Sequence, residues 1–444
     1  MTVTDARTRR HAAPALRRVR QGGLAVAWPL ALLTLSLFVP AQFYVDIGSF
    51  RLSAYRIVLF LILPFVTARL LGGGVRFKSY DVAILLAALW MVLAMSINHG
   101  ILQGFESGGI IAFETVLGYF VARVYFRDLQ SIVDFVKLLV LCLIVSVPIL
   151  LLEISAGRNL VSELSSMLSG HASEFIYQEK HFRLGLIRAQ GPFAHPIHAG
   201  IFMIAMLPFA WLTAATLAKR VFVSGFLLAG AFASLSSAPW LGFFLQVGLL
   251  TFHSTCNRLR VKNPWMWFFV AFAILFVSLE LASNRGAIMF LSTSFTLEAG
   301  TAYYRQLIWI FGTDVVMNNP LFGIGHHDWA RPAWMYSSTV DTFWLLMAMT
   351  FGLPVALLLG YASIDIFRRV IKRSRNMDSK ARTIALATLI SILALILMAF
   401  TVHYWGSIFI LFLLMLGLGG SVAAGALSTP TYENGRAARR IRQI

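Results

Sequence analysis

The stretch YWGSIFILFLLMLGLGGSVAAG, residues 404–425, carries no charged side chain and is long enough to cross a lipid bilayer as one helix. Continuous apolar runs of this kind recur along the 444 residues, of which 58% are hydrophobic and 13% charged. The mean hydropathy is +0.76. A membrane β-barrel would instead show short segments in which apolar and polar residues alternate. The sequence therefore predicts an all-α polytopic membrane protein.

The apolar runs predict twelve transmembrane helices within a single integral membrane domain, residues 1–444. Their approximate ranges are 24–43, 53–71, 81–98, 108–126, 131–153, 193–216, 221–236, 239–254, 265–283, 343–367, 383–401 and 404–425. The run from 221 to 254 is too long for one span and is divided at Ser236-Ser237-Ala238-Pro239. The sequence shows no internal repeat, low-complexity tract or soluble domain.

The net charge of +18 is distributed unevenly between the two sides of the membrane. When successive loops are assigned to alternate sides, 27 of the 37 Lys and Arg residues fall on one side, including those of the N-terminal segment and of residues 368–382. By the positive-inside rule that side is cytoplasmic, and both chain termini lie there. Because the basic residues mark topology and attract anionic lipid, nucleic acid is not an expected partner.

Only two loops are long, residues 154–192 and residues 284–342, and both are predicted on the outer face. The first carries Arg158, Lys180, Arg183 and Arg188. The second reads NRGAIMFLSTSFTLEAGTAYYRQLIWIFGTDVVMNNPLFGIGHHDWARPAWMYSSTVDT. Its pattern predicts an amphipathic helix at about 301–319, of a kind that can lie in the membrane interface, with Arg305 on the first turn and Pro320 at the end. Loops this long and polar usually carry function.

Three stretches between residues 180 and 360 form a recognisable pattern. The first is RAQGPFAHPI, which starts at Arg188 and enters the sixth predicted span. The second is Arg305-x-x-x-Trp309, followed by NPLFGIG at 319–325. The third is Asp341-Thr342, separated by nine residues from Gly352. Together, in this order and on one face, they resemble the superfamily of O-antigen ligases and of O-antigen and exopolysaccharide polymerases from bacterial envelopes.

Two positions depart from the ligases of this superfamily. Ligases carry histidine where this chain has Asp341. They often carry Ser-Arg-Gly-Pro-Trp where this chain reads Ser236-Ser237-Ala238-Pro239-Trp240. Both departures favour a polymerase-like member over a lipid A–core ligase. The run from Asp328 to Trp344 also resembles members that take part in exopolysaccharide production.

The resemblance implies a GT-C-like fold and a reaction on the periplasmic side of the bacterial inner membrane. Its implied partners are a glycan donor on undecaprenyl diphosphate, a glycan acceptor, membrane lipids, and other polysaccharide export and chain-length proteins. No cofactor is implied. No Asp-x-Asp or His/carboxylate cluster indicates a metal, and Cys142 and Cys256 give no case for a disulfide or a metal site. We therefore predict a metal-independent glycosyltransferase.

The departing diphosphate in such a reaction needs fixed cations, because negative charge develops on it in a poorly solvated site. Arginine suits this role, since its guanidinium binds phosphate oxygens in pairs and stays protonated. Arg188 and Arg305 are the first candidates, followed by Arg285 and Arg331. The competing interpretation for each is an arginine that anchors the protein at the membrane edge.

The acceptor hydroxyl needs a group that orients it or takes its proton. Asp341 is the first candidate, although an aspartate before an apolar run is also typical of a helix N-cap. His326 and His327 are the alternatives. Candidates to bind glycan are His195, Trp329, Trp334 and Trp344, for which packing and interfacial tryptophan belts are the competing explanations. Glu114, inside the fourth span, is expected to be buried and partnered.

Three other functions compete with polymerisation. A ligase-type enzyme, or one that glycosylates protein, would transfer the glycan to a different acceptor by the same chemistry. A solute transporter would have a similar number of spans, but usually shows paired repeats and more intramembrane charge. A flippase for lipid-linked sugars needs a cationic cavity across the bilayer, whereas these arginines cluster at one face.

Overall fold

The computed structural model describes residues 26–48, 50–171, 182–282, 290 and 299–427. These residues are mostly helical, and eight of their helices are long and apolar enough to cross a membrane. The predicted class, a helical polytopic membrane protein, agrees with this architecture.

The helices are α1 Trp28–Ser36, α2 Ala54–Leu71, α3 Ser79–His99, α4 Ile101–Tyr125, α5 Leu129–Ala156, α6 Leu160–Ser169, α7 Pro196–Thr213, α8 Leu217–Ala233, α9 Ser237–Arg258, α10 Pro264–Ala282, α11 Ala299–Asn318, α12 Phe343–Phe351, α13 Leu353–Ser374, α14 Ser379–Met398 and α15 Ser407–Ala424. Helix α4 includes a π-helical turn at Gly104–Gly108. Two short antiparallel hairpins complete the described part, β1 Tyr44–Ile47 with β2 Phe50–Ser53 and β3 Phe182–Arg183 with β4 Leu186–Ile187.

Four of the twelve predicted spans correspond to none of the eight helices that are long and apolar enough to cross a membrane, namely 24–43, 221–236, 239–254 and 343–367. Two of the four are interrupted. In the described part of the predicted span 24–43, residues 26–43, only α1 is helical. Pro40, which cannot donate a helical hydrogen bond, and the β1–β2 hairpin follow α1. The predicted span 343–367 is broken at Gly352, where φ is +85° and an added Cβ would lie 2.0 Å from the Leu321 carbonyl oxygen. The break lets the chain segment before α12 pack against the α12–α13 junction, where Leu353 N–H donates to Pro320 O.

Helix α15 lies at the centre of the bundle and is buried along most of its length. It packs against α4, α13 and α14. At Gly417 its backbone comes so close to α4 that an added Cβ would lie 2.4 Å from the Tyr119 carbonyl oxygen. Small residues allow this close approach, which is how helices associate where apolar surface alone gives no preference for contact.

Two ion pairs with buried carboxylates join helices of the bundle. Arg123 of α4 lies 2.7 Å from the Asp81 carboxylate of α3, which also accepts a hydrogen bond from Tyr119. Glu114 accepts hydrogen bonds from Arg56 at 2.6 Å and from Tyr55 at 3.0 Å. The prediction that Glu114 is buried and partnered is confirmed, and these partners give it a structural role in joining α2 to α4.

Loops that were predicted on the same side of the membrane contact one another. On the predicted cytoplasmic side, Arg375 donates to the Asn263 side chain at 2.6 Å. On the predicted outer side, Gln42 donates to Ser162 at 2.9 Å, and Asn98 donates to Phe322 O at 3.0 Å. The alternating assignment of loops is consistent with these contacts, while the orientation relative to the cytoplasm stays a prediction.

Helix α11 corresponds to the amphipathic helix predicted at 301–319. Its apolar side contributes Leu307, Ile308 and Val315 to a second, smaller hydrophobic core, which also contains residues of α12. The loop between them closes this core with Trp329 and Met335. The helix is therefore packed against protein on this side, which differs from the expectation that its apolar side lies in the membrane interface.

Candidate functional site

The segment that carries Arg188 is held in place by a buried glutamate. Glu153, near the end of α5, accepts hydrogen bonds from the backbone N–H groups of Gln190 at 2.9 Å and Gly191 at 2.8 Å. Its other carboxylate oxygen accepts one from Val161 N–H at 3.1 Å. A carboxylate that accepts several backbone N–H groups fixes the path of the chain, so Glu153 determines where the segment after Arg188 runs.

Arg188 is buried, and its guanidinium donates to the hydroxyl of Ser236 at 2.8 Å. Ser236 lies just before α9, as its N-cap residue. Arg183 donates to the carbonyl oxygen of Leu235 at 3.0 Å. Leu235 has a φ of +43°, a conformation that non-glycine residues rarely adopt. The α8–α9 junction thus holds two arginines of the first long loop.

Arg305 lies on α11 and is 6% exposed. The helix is tied to the chain before Asp341, because Tyr304 donates to Ser337 O at 3.2 Å and accepts from Ser337 N–H at 3.1 Å. Burial lowers the pKa of Arg305, the Asp341 carboxylate raises it, and the neighbouring Arg183 lowers it further. Arg305 therefore lies within electrostatic range of both Asp341 and Arg183.

Asp341 is accessible to solvent although much of its hydration is displaced by surrounding protein. This partial burial raises its pKa, and the charges of Arg305 and Arg188 oppose the rise. Thr342, and not Asp341, is the N-cap of α12. Within the described part of the chain, the Asp341 carboxylate makes no hydrogen bond or ion pair. The helix-cap interpretation of Asp341 is therefore not supported.

We call Arg183, Arg188, Arg305 and Asp341 the arginine recess. Two of its four members were predicted as diphosphate ligands and a third as the acceptor-activating acid. Three buried polar atoms in or next to it have no hydrogen-bond partner among the described residues: Nε of Arg305 itself, Nε1 of Trp309 one turn further along α11, and Oγ1 of Thr342 directly after Asp341. Buried polar atoms nearly always have a partner, so their concentration here is typical of a site that binds a polar ligand.

His326 and His327 contact His99, the last residue of α3, and within the described part of the chain they do not contact the arginine recess. His326 N–H donates to Nε2 of His99 at 2.8 Å, and the His327 ring lies 4.4 Å from that of His99 between centroids. Partial burial and His99 lower the pKa of His326. The two histidines line a pocket of about 380 Å³ that also contains Trp329 and Thr350 but none of the recess residues.

Arg331 uses its donors within its own loop. It forms an ion pair with Asp328, donates to Met335 O at 2.9 Å, and lies over the Trp329 ring at 5.4 Å. The ion pair raises the pKa of Arg331 and lowers that of Asp328. These contacts assign Arg331 to loop structure and separate it from the arginine recess. Arg285 lies outside the described residues.

The predicted glycan-binding residues have different surroundings. Trp329 is buried, and its indole N–H donates to Ser338 O at 2.8 Å, so its ring packs in the second core. Trp334 is exposed. Trp344 donates to Ile396 O at 3.0 Å. Nδ1 of His195 accepts from Ile197 N–H at 3.1 Å, which makes His195 the N-cap of α7.

Sequence reasoning did not identify four residues that matter at this end of the molecule. Arg183 lies in the first long loop and Glu153 directly before it, and no sequence pattern distinguished either residue from its neighbours. His198 and Trp405 lay within predicted apolar spans and were given no role. A polar residue inside an apolar run was the available signal, and it was applied only to Glu114.

Among the described residues, no three His, Cys, Asp or Glu side chains are placed to hold a metal ion. No family model matches this chain, and no curated protein has a significant match to it. The geometry of the recess is therefore the basis for a functional proposal.

Proposed function

We propose that this protein is a metal-independent glycosyltransferase that polymerises oligosaccharide repeat units carried on undecaprenyl diphosphate. The observation that supports this most is the arginine recess, where a solvent-accessible, unpaired Asp341 lies among buried arginines. These residues come from separate parts of the chain, which meet at the end of the bundle predicted to face outward.

Three members of the recess, Arg188, Arg305 and Asp341, have roles in this chemistry. The acceptor hydroxyl attacks the anomeric carbon of the donor sugar, and the bond between that carbon and the diphosphate oxygen breaks. Asp341 takes the proton of the hydroxyl. Arg188 and Arg305 stabilise the charge that develops on the departing diphosphate, and their burial strengthens this interaction because the local dielectric is low.

The proposal also covers the membrane architecture, beyond the eight helices that are long and apolar enough to cross a membrane. This architecture has twelve spans in a GT-C-like arrangement in the bacterial inner membrane, with both termini in the cytoplasm. Each predicted span overlaps a helix of the described structure, and loops of one predicted side contact each other. The charge bias of 27 basic residues among 37 supports the orientation.

The lipid-linked glycan profile of a deletion strain tests the proposed function. Accumulation of single repeat units on undecaprenyl diphosphate is the expected result, because chain growth stops while synthesis of the unit continues. Long chains that stay unattached would indicate a ligase instead. An unchanged glycan profile would contradict both.

Complementation of that strain with Arg305→Ala tests the recess itself. Loss of one fixed donor to the leaving group is expected to lower the polymerisation rate on the order of 10²–10³-fold, and lysine should restore little because it lacks the planar fork. Arg158→Ala is the matched control, since Arg158 lies in an outer loop, is exposed and pairs with Glu163. Equal activity of Arg305→Ala and the parent at equal membrane level would contradict the role of the recess.

A further inference from the structure

Beside the arginine recess lies a group of aromatic and imidazole rings, His198, His403 and Trp405, which we call the His–Trp cluster. The His198 ring meets the Trp405 ring at 4.0 Å between centroids, edge to face. The His403 ring is stacked with Trp405 at 5.4 Å. The His195 ring lies at the margin, 5.7 Å from Trp405. These rings come from α7 and from the loop between α14 and α15.

The imidazoles of this cluster have unused hydrogen-bonding capacity. His198 is fully buried, and neither of its ring nitrogens has a partner among the described residues. Nδ1 of His403 is also buried without one. Burial lowers the pKa of His403 to about 4, so its ring is neutral at physiological pH and offers both a donor and an acceptor. A buried group that lacks its hydrogen bonds is costly, so the arrangement needs an explanation.

The cluster adjoins the recess through the backbone. Phe343 N–H, two residues after Asp341, donates to Ala399 O at 2.9 Å and to Val402 O at 3.1 Å. The loop that carries His403 and Trp405 is thereby held against the chain at Asp341. On the other side, the segment fixed by Glu153 runs from Arg188 to His195, at the start of α7.

We propose that the His–Trp cluster binds a neutral sugar of the glycan that receives the transferred unit. This inference rests on the proposed function and adds to it the site of the acceptor. A sugar presents hydroxyl groups that match neutral imidazole nitrogens, and apolar C–H faces that match the ring of Trp405, which is 39% exposed. The arginine recess, by contrast, matches the diphosphate of the donor, so the two sites select different parts of the substrates.

Direct binding of a sugar probe tests the acceptor site. The probe is the repeat-unit oligosaccharide released by mild acid from the lipid-linked pool of the producing cells, so it carries no lipid and no diphosphate. The full-length protein in lipid nanodiscs is titrated calorimetrically. The parent is expected to bind, and Trp405→Ala and His198→Phe are expected to bind at least about tenfold more weakly, because each removes a buried contact to the sugar.

The His198→Phe variant separates binding from packing. If His198 is only a core residue, phenylalanine should preserve thermal stability, because it fills similar space without unpaired nitrogens, and probe binding should not change. If His198 binds sugar, stability is kept while binding falls. Should His198→Phe unfold, Trp405→Phe supplies the second test, since it keeps a ring of smaller face and is expected to bind at intermediate strength.

Controls of the same type lie elsewhere in the chain. Trp267→Ala changes an exposed tryptophan on α10, and His253→Gln changes a half-buried histidine on α9. Both should bind the probe as the parent does. Parental binding by both His198→Phe and Trp405→Ala, or no binding by the parent, overturns the acceptor site.

The glycan profile of the deletion strain distinguishes the proposed polymerase function from the proposed acceptor site. If the deletion strain loses polymer but the cluster variants bind the probe as the parent does, the proposed function is supported and the acceptor site is contradicted. If deletion leaves all glycans unchanged but probe binding depends on Trp405, the polymerase function is contradicted and the cluster is a sugar-binding site.

Discussion

Asp341 carries the proton-accepting step of the proposed reaction. Its carboxylate is open to solvent, is not the N-cap of α12, and lies in the field of Arg188 and Arg305. Burial raises the pKa of Asp341 while the charges of Arg305 and Arg188 oppose the rise, which makes its carboxylate a stronger proton acceptor than that of a free aspartate.

Replacement of Asp341 by asparagine keeps the shape of the side chain and removes its basicity. Activity is expected to fall about 10²–10⁴-fold, the range for loss of a positioned general base. A residue that only capped a helix would tolerate the change, because asparagine caps about as well as aspartate. Polymer formation close to the parental rate in membranes with equal protein would contradict the proton-accepting role.

The pH dependence of the rate gives an independent test of Asp341. Partial burial raises its pKa, and the reaction needs the ionised form, so activity is lost as pH falls through that raised pKa. The acid limb should therefore lie above the value of about 3.9 typical of a free aspartate. Arg305→Gln removes a charge that lowers this pKa. The acid limb of the pH–rate profile, measured on the residual activity of this variant, should therefore move to higher pH. An acid limb at the same pH in the parent and in Arg305→Gln would contradict the electrostatic coupling between Arg305 and Asp341.

At the scale of secondary-structure elements, Glu153 joins α5 to the segment that carries Arg188. Three backbone N–H groups depend on its carboxylate. Glu153→Gln places an amide N–H against one or more of these donors, so we expect the protein to lose about 1–3 kcal/mol of stability and part of its activity. Thermal unfolding in detergent measures the first effect. Glu163→Gln is the control, and equal melting of the two variants would contradict the structural role.

The break between α12 and α13 depends on one glycine. Gly352 combines a φ of +85° with a ψ of 168°, a region that other residues essentially do not enter, and a Cβ would collide with Leu321 O. Gly352→Ala should cost more than the ~1–3 kcal/mol of such backbone strain alone. Gly360→Ala, on α13 with no atom within 4 Å of its added Cβ, should be neutral or mildly stabilising. Melting of purified variants compares them.

At the scale of the whole molecule, topology decides whether the recess can meet a lipid-linked glycan on the outer leaflet. A reporter fused after Ser338 should read outside, and reporters fused after Arg260 or Arg375 should read inside. The bias in Lys and Arg is strong enough to set this orientation. An inside signal at Ser338 would remove the proposed function, because the recess and the donor would then lie on opposite sides of the membrane.

Several features of the fold followed from local sequence. Apolar runs of bilayer length predict helices wherever they occur, because every backbone polar group in a membrane must be satisfied within its own segment. The amphipathic period predicted α11 to within two residues of its ends, since Pro320 cannot continue a helix. Short motifs with charged residues predicted Arg188, Arg305 and Asp341 as site residues.

Tertiary structure decided which of these residues meet. Arg183, Arg188, Arg305 and Asp341 are brought together by Glu153, by the α8–α9 junction and by the tie between Tyr304 and Ser337, all contacts between residues far apart in sequence. Other tertiary and loop contacts, of Arg331 with Asp328 and of His326 and His327 with His99, engage these predicted site residues elsewhere. Sequence periodicity reports only which side of a helix is apolar, whereas the partners of a polar side chain depend on how distant segments pack. The sequence therefore determined the helices and the charge of the loops, and only packing determined the site.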